Sequence, residues 1–105
     1  MSPGGPYRLR HSEAVTAGLR RLLQEAAAAG IRIRVETALR VIQDRLVADP
    51  LGWGDPMHRL RGLEMTVYRR VYDELLVVYG VHDAEPHVWL TSVTPVLGHP
   101  LKWPI

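Results

Sequence analysis

Hydrophobic and polar positions follow two different periods along this chain, and the changes of period mark its elements. From Tyr7 to His11, Tyr7 and Leu9 alternate with Arg8 and Arg10, the period-two pattern of a half-buried strand. Ser12 before Glu13-Ala14-Val15 suits a helix N-cap. Val15, Leu19, Leu22 and Ala26 then recur at helical spacing until Gly30, predicting an amphipathic helix with Arg20, Arg21, Gln24 and Glu25 outward. The next segment is ambiguous, because Ile31, Ile33 and Val35 alternate with Arg32, Arg34 and Glu36. Val35, Leu39, Ile42 and Leu46 nevertheless keep the helical spacing to Asp49, so the longer pattern predicts a second helix from about Arg32 to Ala48.

Beyond Asp49 the period returns to two. Pro50 forbids continuation of the helix, and Gly52, Gly54 and Pro56 punctuate a loop centred on Trp53. A tryptophan so placed covers an edge of the core, the alternative being a platform for a nucleobase. Met57 to Leu63 reads as a short edge segment and Met65 to Tyr72 as a strand, with a turn at Asp73-Glu74. Leu75 to Val81 is apolar on both faces, as expected of a central strand covered on both sides. After a turn at Asp83 to Pro86, His87 to Val93 forms the last strand. These elements predict an α+β fold: an N-terminal strand, a two-helix hairpin, then an antiparallel sheet of three to four strands. Residues 1–6 read as a flexible N-terminus, 7–95 as a single domain and 96–105 as a tail. Pro100 and Pro104 keep that tail out of regular structure, while Leu97, Leu101, Trp103 and Ile105 offer it apolar groups for docking.

Composition narrows the chemistry. The chain has 105 residues, 47% apolar and 23% charged, enough for one core and little more. Without cysteine it has no disulfide, no thiolate nucleophile and no Cys-based zinc site. Met1 to Pro6 lacks the apolar stretch of a signal peptide, and no run approaches a membrane span, so the expectation is a soluble cytoplasmic protein with no membrane partner. The net charge is only +2, but Lys102 is the sole lysine among 13 basic residues. Arginine binds phosphate and carboxylate bidentately and stacks on bases; an arginine-rich solvated face is the alternative reading. Histidines at 11, 58, 82, 87 and 99 show no H-x-x-x-H or H-E-x-x-H spacing, so neither a metal nor another cofactor is expected.

One stretch resembles a known family. Leu46, Asp49-Pro50, Gly54-Asp55-Pro56, Leu60, Arg70-Val71-Tyr72-Asp73, Val77-Val78-Tyr79 and Val81 look like the RelE/ParE toxin superfamily, over roughly residues 7 to 95. They are also similar to small proteins of the form L-x-x-DP-x-x-x-G-x-P followed by L-x-V-x-Y-x-V. The resemblance implies a basic concave sheet face on which ribosome-dependent ribonucleases cleave messenger RNA, or an activity against DNA gyrase in the ParE branch. It further implies a toxin of a type II toxin–antitoxin system, with an antitoxin protein, messenger RNA and the ribosome as partners, and it leaves room for a homodimer. Arg70 matches the arginine of the family's R-V-G-D pattern, with Tyr72 in place of glycine. The arginine that follows the family's turn is replaced by Leu75 or Leu76, and Val93-Thr94-Pro95-Val96 lacks the family's terminal basic group.

Ribonuclease chemistry requires a base for the ribose 2′-hydroxyl, cations for the phosphate and an acid for the leaving oxygen. The candidates are Glu64 or His82 as base, Arg59, Arg61, Arg69 and Arg70 as phosphate ligands, and His87 or Tyr72 as acid. On strands, Arg59 and Arg61 share a face while Arg69 and Arg70 oppose each other, so at most three converge. One of that adjacent pair is expected to meet Glu64, Asp73 or Glu74 in an ion pair. The alternative function is a non-catalytic protein-interaction module on the same fold.

Overall fold

The computed structural model describes residues 6–96. Strand β1 (Arg8–His11) leads into α1 (Glu13–Ala28) and α2 (Arg32–Ala48), followed by the single turn α3 (Pro50–Trp53). Strands β2 (Asp55–Leu60), β3 (Met65–Tyr72), β4 (Leu75–His82) and β5 (His87–Pro95) complete the order, with a 3-10 turn over Arg61–Leu63 between β2 and β3. The fold is α+β, as the periodicity indicates. The sheet has five strands in the order β1-β5-β4-β3-β2, where three to four were expected, and it is mixed. The four strands after the helices pair antiparallel, whereas β1 joins the far edge parallel to β5, with Leu9 opposite Val88.

Both helices follow from their sequence. The Ser12 hydroxyl accepts the Val15 amide at 3.3 Å, capping α1, whose buried residues are Leu22 and Ala26. In α2, Val35, Ala38, Ile42 and Leu46 are buried in one stripe, so the helical reading of the ambiguous segment holds. Pro50 does end α2, but it also starts α3. Asp49 caps the new turn by accepting the Gly52 amide at 3.2 Å, and Pro50 occupies the first turn, where its missing N–H costs nothing. The expected loop is therefore a helical turn that buries Trp53.

Among the described residues, the helices lie on one face of the sheet. Leu75, Val77, Tyr79 and Val81 of β4 point into the core with Val88, Leu90 and Val93 of β5 and the stripes of α1 and α2. Tyr79 is fully buried, and its hydroxyl donates to the Pro50 carbonyl at 2.6 Å. The Trp53 ring lies 6.1 Å from that of Tyr79, and the Tyr68 ring stacks on Tyr79 at 5.4 Å. Gly54 is required here, since a Cβ would collide with the Tyr79 hydroxyl and come within 3.0 Å of the Arg69 carbonyl. The opposite face carries no helix among the described residues. On it Leu76 and Val78 are half-buried and Val71 is 55% exposed, while Met65, Val67 and Gly80 are buried, so β4 is less fully covered on this side than on the helical one. The apolar tail residues Leu97, Leu101, Trp103 and Ile105, and the N-terminal residues 1–5, lie outside the described residues.

The β3–β4 hairpin turns on Asp73 and Glu74, both at positive φ, 48° and 67°. Arg34 of α2 grips Asp73 through two hydrogen bonds of 2.7 and 3.2 Å, tying the start of the helix to the hairpin. Beyond these links, β1 is held to the helical layer by the Tyr7 amide, which donates to the Val47 carbonyl at 2.9 Å.

Two predictions concern stability. Tyr79→Phe leaves the buried Pro50 carbonyl unpaired and is expected to cost about 1–3 kcal/mol in urea unfolding. Burial pushes the Tyr79 phenol up from 10.0 to about 12. Folding thus favours the neutral phenol; this contribution is complete below about pH 10 and is lost as pH rises towards about 12. Wild-type stability should fall across that window, and Tyr79→Phe should remove most of the fall; equal slopes would contradict the assignment. Glu74→Gly relieves a left-handed backbone and should stabilise the protein by about 0.5–1 kcal/mol, read as a rise in the urea midpoint.

Candidate nucleic-acid interface

Strand register decides which side chains share the helix-free face. Directly opposed residues point the same way, so β1 contributes Arg8 and Arg10, β5 His87 and Trp89, and β4 Val78 and His82. Strand β3 adds Met65, Val67 and Arg69, and β2 adds His58 and Asp55. Three arginines thus share a surface on which Asp55 is the only strand carboxylate among the described residues.

The four arginines singled out from the sequence do not converge. Arg69 and Arg70 point to opposite faces, as period two requires, but only Arg69 lies on the open one, opposite Asp55. Arg70 turns to the helical side, donates to the Trp53 carbonyl at 3.0 Å and lies over the Trp53 ring at 5.6 Å. Neither it nor Arg69 forms the expected ion pair with Glu64, Asp73 or Glu74; Asp73 is taken by Arg34. Arg59 is engaged by Asp83 at 2.8 Å, and Thr66 also donates to that carboxylate. The Arg59 hydrogen bond is the main reason the Asp83 carboxyl lies below its ordinary range. Arg61 does not share a strand face with Arg59, because β2 ends at Leu60 and Arg61 enters the 3-10 turn.

Among the acid and base candidates, the structure brings together Glu64 and His82. The Glu64 carboxylate lies 3.7 Å from His82 Nε2, and Glu64 itself has left-handed backbone, φ 50°. His82 Nδ1 accepts the amides of Ala84 at 3.1 Å and Glu85 at 2.9 Å. A nitrogen that accepts two amides carries no hydrogen, so the neutral ring bears its proton on Nε2, facing Glu64. His82 therefore presents an N–H rather than a lone pair on its Glu64 side, which leaves Glu64 as the base candidate. His87 begins the neighbouring strand, with its Nδ1 buried and lacking a protein partner among the described residues. Tyr72 is not near this group; it packs on the helical side, 6.2 Å from Trp53. Glu64 and His82 are too close to each other to stand on opposite sides of a phosphate, as in-line displacement requires.

Sequence reasoning missed Arg8, Arg10 and Trp89. Alternation at Tyr7 to His11 already placed both arginines on one strand face; the missing knowledge was that β1 docks beside β5. Trp53, the tryptophan singled out, is 8% exposed, whereas Trp89 is 41% exposed. No three His, Asp or Glu residues gather as metal ligands among the described residues, and no helix there is long and apolar enough to cross a membrane. Comparison with protein-family models, with curated proteins and with solved structures gives no match in any of the three.

Proposed function

We propose that this protein is a toxin-like RNA-binding protein, one half of a toxin–antitoxin pair of the RelE/ParE type, which holds RNA on its helix-free sheet face. The observation that carries this reading is the placement of Arg8, Arg10 and Arg69 on a helix-free surface with one strand carboxylate among them. Guanidinium groups there meet phosphates without first breaking the ion pairs that occupy Arg34 and Arg59. The geometry favours binding over cleavage: Glu64 and His82 adjoin each other and His87 lies beyond them, which gives RNA hydrogen-bonding groups but no separated acid and base.

A protein partner is favoured by a different observation. Strand β2 is exposed at all six residues and, among the described residues, pairs only with β3, so its outer edge offers backbone groups to another strand. An antitoxin segment or a second copy of the chain fits that edge by β-augmentation. On this second reading the module acts through protein contacts and needs no catalytic group.

Binding to a single-stranded RNA should weaken with salt along a log–log slope of about −2, as three phosphate contacts require. Growth arrest on expression should be relieved by Arg69→Ala, which alters the open face. Arg70→Ala should instead lower stability by about 1–2 kcal/mol, through loss of the Trp53 carbonyl contact. Salt-insensitive binding, or normal growth at high expression of the wild type, would count against the RNA reading and for the protein module.

A further inference from the structure

The β1–β5 side of the open face carries a patch that the arginines of β2 and β3 do not supply. Register sets Arg8 opposite His87 and Arg10 opposite Trp89. The Arg10 guanidinium lies 5.9 Å from the centroid of the Trp89 ring, and that ring is 41% exposed on a strand. An indole bears one of the largest apolar surfaces of any side chain, so leaving it in water forgoes stabilisation that burial would supply. On the next strand its neighbour is Gly80, where a Cβ would come within 2.6 Å of the Met65 methyl. The Met65 side chain thus lies over Gly80, and Met65 and Val67 are buried, so the sheet beside Trp89 offers a low apolar floor next to the indole.

We infer that this patch holds an unpaired nucleotide of single-stranded RNA, its base stacked on Trp89 and its flanking phosphates at Arg8 and Arg10. The inference rests on the RNA reading above and specifies the form of RNA bound. A base within a duplex is covered on both faces by its neighbours and cannot reach an indole on a sheet surface; an unpaired base can. An acidic peptide would satisfy the two guanidinium groups but would leave the indole and the apolar floor without a planar partner. The patch also adjoins the candidate chemistry: Arg8 lies opposite His87, and the next strand, β4, ends at His82, which Glu64 meets at 3.7 Å. A strand of RNA crossing from Arg8 towards Met65 would therefore pass both histidines.

The test is a fluorescence-anisotropy titration of the full chain with a labelled oligouridylate of about ten nucleotides and a duplex of equal length. The single strand should bind more tightly than the duplex. Trp89→Ala should weaken single-strand binding by about five-fold to 150-fold, the range for loss of one stacking aromatic, and Trp89→Phe should restore most of it. Arg8→Ala and Arg10→Ala should each flatten the salt slope by about 0.7, while Trp89→Ala leaves it unchanged. Wild-type affinity in Trp89→Ala, combined with weakened binding in Arg69→Ala, would overturn this patch and leave the RNA reading standing. No binding of either RNA by the wild type would overturn both, as would capture of an acidic peptide in place of RNA.

Discussion

The hydrogen bond from the Tyr79 hydroxyl to the Pro50 carbonyl, 2.6 Å long and fully buried, is the constraint on which the rest of the structure turns. Tyr79 stands on the central strand, and Pro50 opens the turn after the second helix, so one bond joins the sheet to the helical layer. Its donor is costly to bury without a partner, which makes the position of α3 a requirement rather than a preference. Trp53 packs against the phenol ring at a tilt, and Tyr68 stacks on it. Gly54 admits the hydroxyl, and Arg70 closes the outside by meeting the Trp53 carbonyl.

This arrangement commits side chains that would otherwise be functional candidates. Arg70 and Tyr72 face the helical layer, where they hold or pack against Trp53. Because every helix among the described residues lies on that side, the strand side chains of the other sheet face, Arg8, Arg10 and Arg69 among them, meet no helix there. The positive character of the face is therefore a consequence of packing as much as of composition, since the chain as a whole carries only +2. Oriented guanidinium groups on a broad surface attract a polyanion more effectively than the net charge indicates.

The parts legible in the sequence were those governed by local periodicity. Helix α2 runs from Arg32 to Ala48 as Val35, Ile42 and Leu46 foretell, because burial of that stripe outweighs the alternation at its start. The turns at Asp73-Glu74 and Asp83 to Pro86 likewise stand where the apolar runs stop. The missed features are non-local. Pro50 terminates one helix and begins another because Asp49 supplies a cap, so the same dipeptide signals both events. The apolar run of β4 suggested full cover on both faces, yet on the helix-free side Leu76 and Val78 are only half-buried, with Gly80 buried. For the candidate site, period two separates Arg69 from Arg70 but does not say which faces the helices. Arg8, Arg10 and Trp89 become one surface only through the parallel pairing of the first and last strands, residues far apart in sequence.

On the proposed reading the helix-free face, rather than the helical side or the sheet edge, receives RNA. The decisive measurement is a map of amide and indole NMR shifts of the full chain on addition of a short single-stranded RNA. Shifts are expected at Arg8, Arg10, Trp89, His87 and Arg69, with Arg70, Tyr72 and α1 unchanged. Shifts centred on α1 and α2, or confined to the outer edge of β2, would contradict that reading.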